Sequence, residues 1–124
     1  MKYFVITESD DLVFAPDFAR PLCTQWPQAT VKHVSDPISS YALEFSVPMA
    51  HSHVDGSLNR AGSAIAFIGD LRDCAEFALW CRSIIPGHEP LTLCDESMSG
   101  SLPLEPATTL THIFDSFRYA PPTA

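Results

Sequence analysis

Tyr41-Ala-Leu-Glu-Phe-Ser-Val47 opens a stretch that continues through His51-Ser-His-Val-Asp-Gly-Ser-Leu58 and Ser63-Ala-Ile-Ala-Phe-Ile68 to Asp70-Leu-Arg-Asp-Cys-Ala-Glu-Phe-Ala-Leu-Trp-Cys-Arg-Ser-Ile-Ile85. In its first segment Tyr41, Leu43, Phe45 and Val47 alternate with Ala42, Glu44 and Ser46, the period of a strand with one dry and one wet face. After Pro48 the chain turns and reads as a second strand from His51 to Leu58. Asn59, Arg60, Ala61 and Gly62 have hairpin-loop composition, and Ser63 to Ile68 follows as the third strand of an antiparallel meander. From Asp70 the period changes. Leu71, Cys74, Ala75, Phe77, Ala78, Cys81, Ile84 and Ile85 share one arc at 100° per residue, which predicts an amphipathic helix packed on the sheet. Asp70 is placed as its N-cap, with Asp73 three residues on, and Pro86-Gly87 stops it. Arg72, Asp73, Glu76 and Ser83 occupy the opposite side, and Trp80 falls among them.

The flanks complete the pattern. Tyr3 to Ile6 is a short continuous apolar run, which predicts a central strand covered on both sides. Phe18, Ala19, Leu22, Cys23 and Trp26 recur at helical spacing up to Pro27, and Pro21 in their midst implies a short helix or one that starts at that proline. Val31 to Val34 reads as a strand, Leu91 to Asp95 as the last strand, and Glu96 to Ser101 as a loop. Thr108 or Thr109 then caps a helix with Leu110, Ile113, Phe114 and Phe117 on one face. The expected fold is a two-layer α+β sandwich, a mainly antiparallel sheet of five or six strands with two or three helices on one face, in the order β-α-β-β-β-β-α-β-α. Residues 1–117 form a single domain in this reading and 118–124 a flexible tail.

At 124 residues, with 46% hydrophobic and 18% charged residues, one globular core is expected. No apolar run is long enough to span a bilayer, and the acids close behind Met1-Lys-Tyr-Phe-Val-Ile-Thr argue for a first strand in place of a signal peptide. The formal net charge is −8. No two basic residues stand closer than ten positions, so the clustered Lys and Arg that release counterions from nucleic acid are missing. An acidic surface favours a basic partner. Cys74 and Cys81, seven apart on one predicted helix, are separated by about 10.5 Å along its axis and cannot bridge. Neither CxxC nor CxxxC occurs, so reduced thiols in a cytoplasmic protein are the expectation.

His51, His53 and Asp55 alternate, and two imidazoles with a carboxylate are zinc-binding chemistry. This HxHxD spacing resembles part of the metal motif of the metallo-β-lactamase superfamily, with Gly56 where that motif has its next histidine. The HxH pair also begins the cupin motif, without the glutamate that should follow. Val54 and Leu58 have the opposite parity, so the histidines fall on the polar outer face with Glu44 and Ser46, and an exposed polar strand is the preferred reading. Cys23 or Cys94 with His33, His88 or His112 supplies the residue types of a nucleophile pair, but nothing marks one pair out, and Asp95 and Glu96 beside Cys94 disfavour a thiolate there. GxSxG, GxGxxG, the Walker A pattern and HExxH are absent. The adjacent acids Asp95 and Glu96 point to opposite faces of a strand and form no acid and base pair by themselves.

The expectation is therefore a non-enzymatic protein-binding module without a cofactor. Its contact residues would be Asp73, Glu76 and Trp80 on the acidic side of the helix, with Asp95 and Glu96 at the strand end, since tryptophan is enriched among interface anchors. In size, acidity and lack of catalytic motifs the chain looks like the small bacterial proteins that neutralise a toxin or otherwise bind one partner, as an immunity-type inhibitor of a basic toxin would. The alternative is a small metal-binding protein or metal-dependent enzyme using His51, His53 and Asp55. No nucleic-acid or membrane partner is expected, and a homodimer through the open sheet face is a third arrangement.

Overall fold

The computed structural model describes residues 2–10, 13, 15–36, 38–97 and 100–117. These form β1 (Lys2–Thr7), α1 (Ala15–Gln25), β2 (Thr30–His33), β3 (Tyr41–Pro48), β4 (His53–Asn59), β5 (Ala64–Ile68), α2 (Leu71–Ile84), β6 (Leu91–Asp95), β7 (Ser101–Leu104) and α3 (Leu110–Phe117). The α+β architecture and element order are as expected, with one added strand. The tail from 118 lies outside the described residues.

All seven strands join one antiparallel sheet in the order β2-β3-β4-β5-β1-β6-β7. The additional strand is β7, in and just beyond the segment read as a loop. It tolerates Pro103 because it lies at the sheet edge, where a proline need not donate to a further strand. Strand β1 is interior, as expected, but is covered on one face alone. Tyr3, Val5 and Thr7 are buried, whereas Ile6 is 38% exposed.

The inner face is packed by aromatic rings. Phe77 of α2 stacks on Phe45 at 5.2 Å between centroids and meets Phe67 edge-on at 4.9 Å. Phe18 of α1 lies against Phe45, and Phe117 of α3 meets Tyr3, so all three helices sit on this one side. Gly56 stands between Phe45 and Phe67 in the strand register. A Cβ there would come within 2.6 Å of the Phe45 ring tip and 2.1 Å of the Ala66 carbonyl oxygen, so glycine is required by close packing.

Helix α1 runs through Pro21 instead of starting at it. A proline inside a helix costs about 3 kcal/mol. Phe18 and Leu22, both fully buried, hold the helix on the core across that break. Strand β3 is irregular at its start. A register shift between Tyr41 and Leu43 marks a bulge, so Tyr41 does not share the buried face of Leu43, Phe45 and Val47 and is 43% exposed.

Candidate functional site

Helix α2 begins where it was expected. The Asp70 side chain accepts from the Arg72 backbone N–H at 2.9 Å and forms an ion pair with the Arg72 guanidinium at 2.8 Å. These contacts hold the Asp70 carboxyl far below the usual carboxylate range, the side-chain hydrogen bond contributing most. Thr109 caps α3, accepting from the His112 N–H at 3.2 Å.

The acidic helix face expected to meet a partner is taken apart by its surroundings. Asp73 is 3% exposed. Its Oδ2 accepts from the His51 backbone N–H at 3.0 Å and from the Ser52 hydroxyl at 2.8 Å, while Ser52 Oγ accepts from the Asp70 N–H. The carboxylate is thus the anchor that ties the turn between β3 and β4 to the first turn of α2. Trp80 is half-buried in a ring cluster, 5.5 Å from Phe18, 5.2 Å from Trp26 and 5.7 Å from Phe77. Phe18 of α1 and Trp26 just beyond it cover Trp80, while Arg72, Glu76 and Ser83 on the same side of α2 stay exposed. Asp95 is 5% exposed, faces the same side as Tyr3 across the ladder and accepts from the Ser97 hydroxyl. Of the five residues proposed from sequence as contacts, Glu76 and Glu96 remain exposed.

The histidine motif is also divided. His51 lies in the turn before β4, while His53 and Asp55 are on the strand, opposite Pro48 and Ser46 respectively. Asp55 accepts a hydrogen bond from the Ser46 hydroxyl. Among the described residues no three His, Cys, Asp or Glu side chains converge as a metal would require. Gly56, where the metallo-β-lactamase motif has its further ligand, occupies a place that only glycine fits.

The thiols divide in the same way. Cys74, Cys81 and Cys94 are buried and Cys23 is exposed. Burial, reinforced by Asp73 nearby, pushes the Cys74 thiol up to about 12, and burial raises Cys81 further. Cys94 is raised by burial and then by Asp95. All three sit in the buried setting of structural cysteines. Cys23 lines an open groove between α1 and β2 with Arg20 and His33.

The basic side chains are largely committed to the protein's own backbone. Arg60 donates to the carbonyls of Val34, Asp36, Ser39 and Tyr41 at 2.8–3.1 Å. Arg82 is buried and donates to the carbonyls of Ile85, Pro86, Glu89 and Leu104. Arg72 is paired with Asp70. Most acids, in contrast, face solvent.

What remains as a candidate binding surface is the sheet face that no described helix covers. Its rows are set by the register: Ser46, Asp55, Ile68 and Lys2 form one, and Glu44, Ser57, Ala66 and Phe4 the next. Tyr41, Glu44, Asp55, Ala66, Ile68 and Lys2 line an open depression of about 270 Å³ there. Ile68 is 51% exposed. This face was legible in the sequence on the β3–β4 side, from the parity of Glu44, Ser46 and Asp55. Its apolar half was not, although the alternation Lys2, Phe4, Ile6 against Tyr3, Val5, Thr7 carries the signal. Comparison of the chain with known protein families, curated proteins and solved structures returned no match. No described helix is long and apolar enough to cross a membrane.

Proposed function

We propose that this chain is a non-enzymatic protein-binding module that docks a basic protein partner on the open face of its sheet. The observation that carries the reading is the composition of that face, where the exposed apolar groups Ile68 and Tyr41 line one depression with Glu44 and Asp55 on strands braced from behind by the helices. An apolar centre gives contact area, and flanking acids select and steer a cationic partner. The engagement of Arg60, Arg72 and Arg82 in internal contacts supports the same polarity, since it leaves the surface dominated by its acids. An immunity-type inhibitor has this character, because toxin sites that handle phosphate are basic and an acidic surface fits them.

The test is recovery from the source cells at low salt of the wild-type chain and of a variant carrying Ile68→Lys and Glu44→Lys. A basic protein held in equimolar amount by the first and lost by the second is the expected result. Retention of the same protein by both, or of none by either, overturns the reading.

A further inference from the structure

Ile68 pairs with Lys2 of β1 on one side and with Asp55 of β4 on the other. Neighbouring strands lie about 4.8 Å apart, so a cation and an acid flank an exposed isoleucine at equal distances across the open face. A line drawn along β5 therefore separates a positive from a negative group of the same row. Rotating a second copy by 180° about that line brings Ile68 onto Ile68 and sets Lys2 of each copy over Asp55 of the other. The two ion pairs are generated together by the symmetry, as an isologous interface requires.

The rest of the row structure fits such an approach. Ala64 and Ala66 precede Ile68 along the same line of β5, and side chains this small let two sheets close to the roughly 10 Å spacing of aligned face-to-face packing. A lysine stem and an aspartate together span that gap. Asp55 is exposed, and the Lys2 ammonium rests 5.6 Å from the Phe4 ring centroid on the same face. The sheet edges offer a second copy little. Strand β2 has four residues including Lys32, and β7 carries Pro103, both devices that discourage strand addition.

We propose that two copies of this chain pair through their open sheet faces about a twofold axis along β5, joined by reciprocal Lys2–Asp55 contacts around Ile68. The inference rests on the reading of this face as the docking surface. Lys2 takes the place of the partner's basic group, so self-pairing and partner docking compete for one surface.

Sedimentation velocity from micromolar to millimolar protein tests this at physiological salt, where a Debye length of about 8 Å screens repulsion between two copies of charge −8. A concentration-dependent monomer–dimer equilibrium is expected. Lys2→Asp alone, or Asp55→Lys alone, should weaken it roughly tenfold or more by placing like charges opposite one another at two symmetric positions. The exchange of both should restore it. Melting curves check that each variant folds. Independently of those charge changes, Ile68→Cys in a Cys23→Ser background should be joined rapidly by a short bismaleimide, because the two positions face each other on the axis. A monomer throughout the range, a dimer indifferent to either reversal, no restoration by the exchange, or no cross-link overturns the inference. A monomer that still loses a basic partner on Ile68→Lys with Glu44→Lys overturns self-pairing and leaves the docking reading in place. A dimer whose chain binds no basic partner does the reverse.

Discussion

The two faces of the sheet are made by the same strands, residue by alternate residue, yet they obey different rules. On the inner face Val5, Leu43, Val47, Val54 and Phe67 are fully buried, and aromatic rings from all three helices interlock over them. On the outer face Lys2, Glu44, Asp55 and Ile68 share one shallow surface of mixed character. The inner face is where substitution should cost stability, and the outer face is where it should cost binding. Polar groups sharpen the contrast. On the helix side Asp73, Asp95 and Arg82 are buried and bonded within the chain, whereas the charges of the outer face are available to a second molecule.

The largest effect should come from Phe77→Ala. This ring touches Phe45, Phe67, Trp26 and Trp80, so its removal opens a cavity at the meeting point of α1, α2 and the sheet. A loss of about 3–5 kcal/mol in chemical denaturation is expected. Arg82→Met should follow. It keeps much of the apolar stem but strips four carbonyls of their donor at the junction of α2, the turn before β6 and the end of β7, for a cost of about 3 kcal/mol. A melting temperature within a degree of wild type for either variant would break the assignment of the inner side as the stability-bearing one.

The sequence discloses the inner face well and its polar exceptions poorly, for a physical reason. Periodicity reports the environment of an element as if it had one neighbour. It correctly places Cys74, Phe77, Ala78 and Cys81 toward the sheet, and it places Asp73 and Trp80 toward solvent because nothing in α2 itself states that α1 and the β3–β4 turn come down over that side. The cue for Asp73 lies in Ser52, twenty-one residues earlier, whose hydroxyl it accepts. Tyr41 is misassigned because a bulge changes parity without a mark in composition. Strand β7 is missed because Pro103 and the Ser and Gly around it read as loop, and edge position is a property of the whole sheet. The candidate site is legible in outline, from the outward parity of Glu44 and Asp55, but its partner across Ile68 is not, since the proximity of Lys2 and Asp55 depends on a strand order that threads β1 between β5 and β6.

Asp73 supplies an intermediate case, a charge that belongs to the architecture. Asp73→Ala leaves the His51 N–H and the Ser52 hydroxyl without their acceptor at the start of α2, and a destabilisation of about 1–3 kcal/mol is expected. The protecting effect should be local. Amide exchange should quicken first at His51 and in the opening turn of α2, while the β1–β6 ladder keeps its protection. Equal loss at both places would mean that the turn and the core unfold as one unit, and the division between anchoring acids and surface acids would need revision.

The smallest effect on stability should be at the centre of the outer face. Ile68 is more than half exposed and projects away from the helices, so Ile68→Lys removes little packing in the isolated chain, and a change within about 0.5 kcal/mol is expected. The same substitution places a cation on the twofold line, where each copy would meet its own like charge, and beside Asp55, the acid a basic partner would seek. It should therefore abolish self-association and partner docking while leaving the melting curve almost unmoved. A large stability loss instead would show that Ile68 is already packed against other parts of the chain, and the two faces would then be two cores in place of one core and one binding surface.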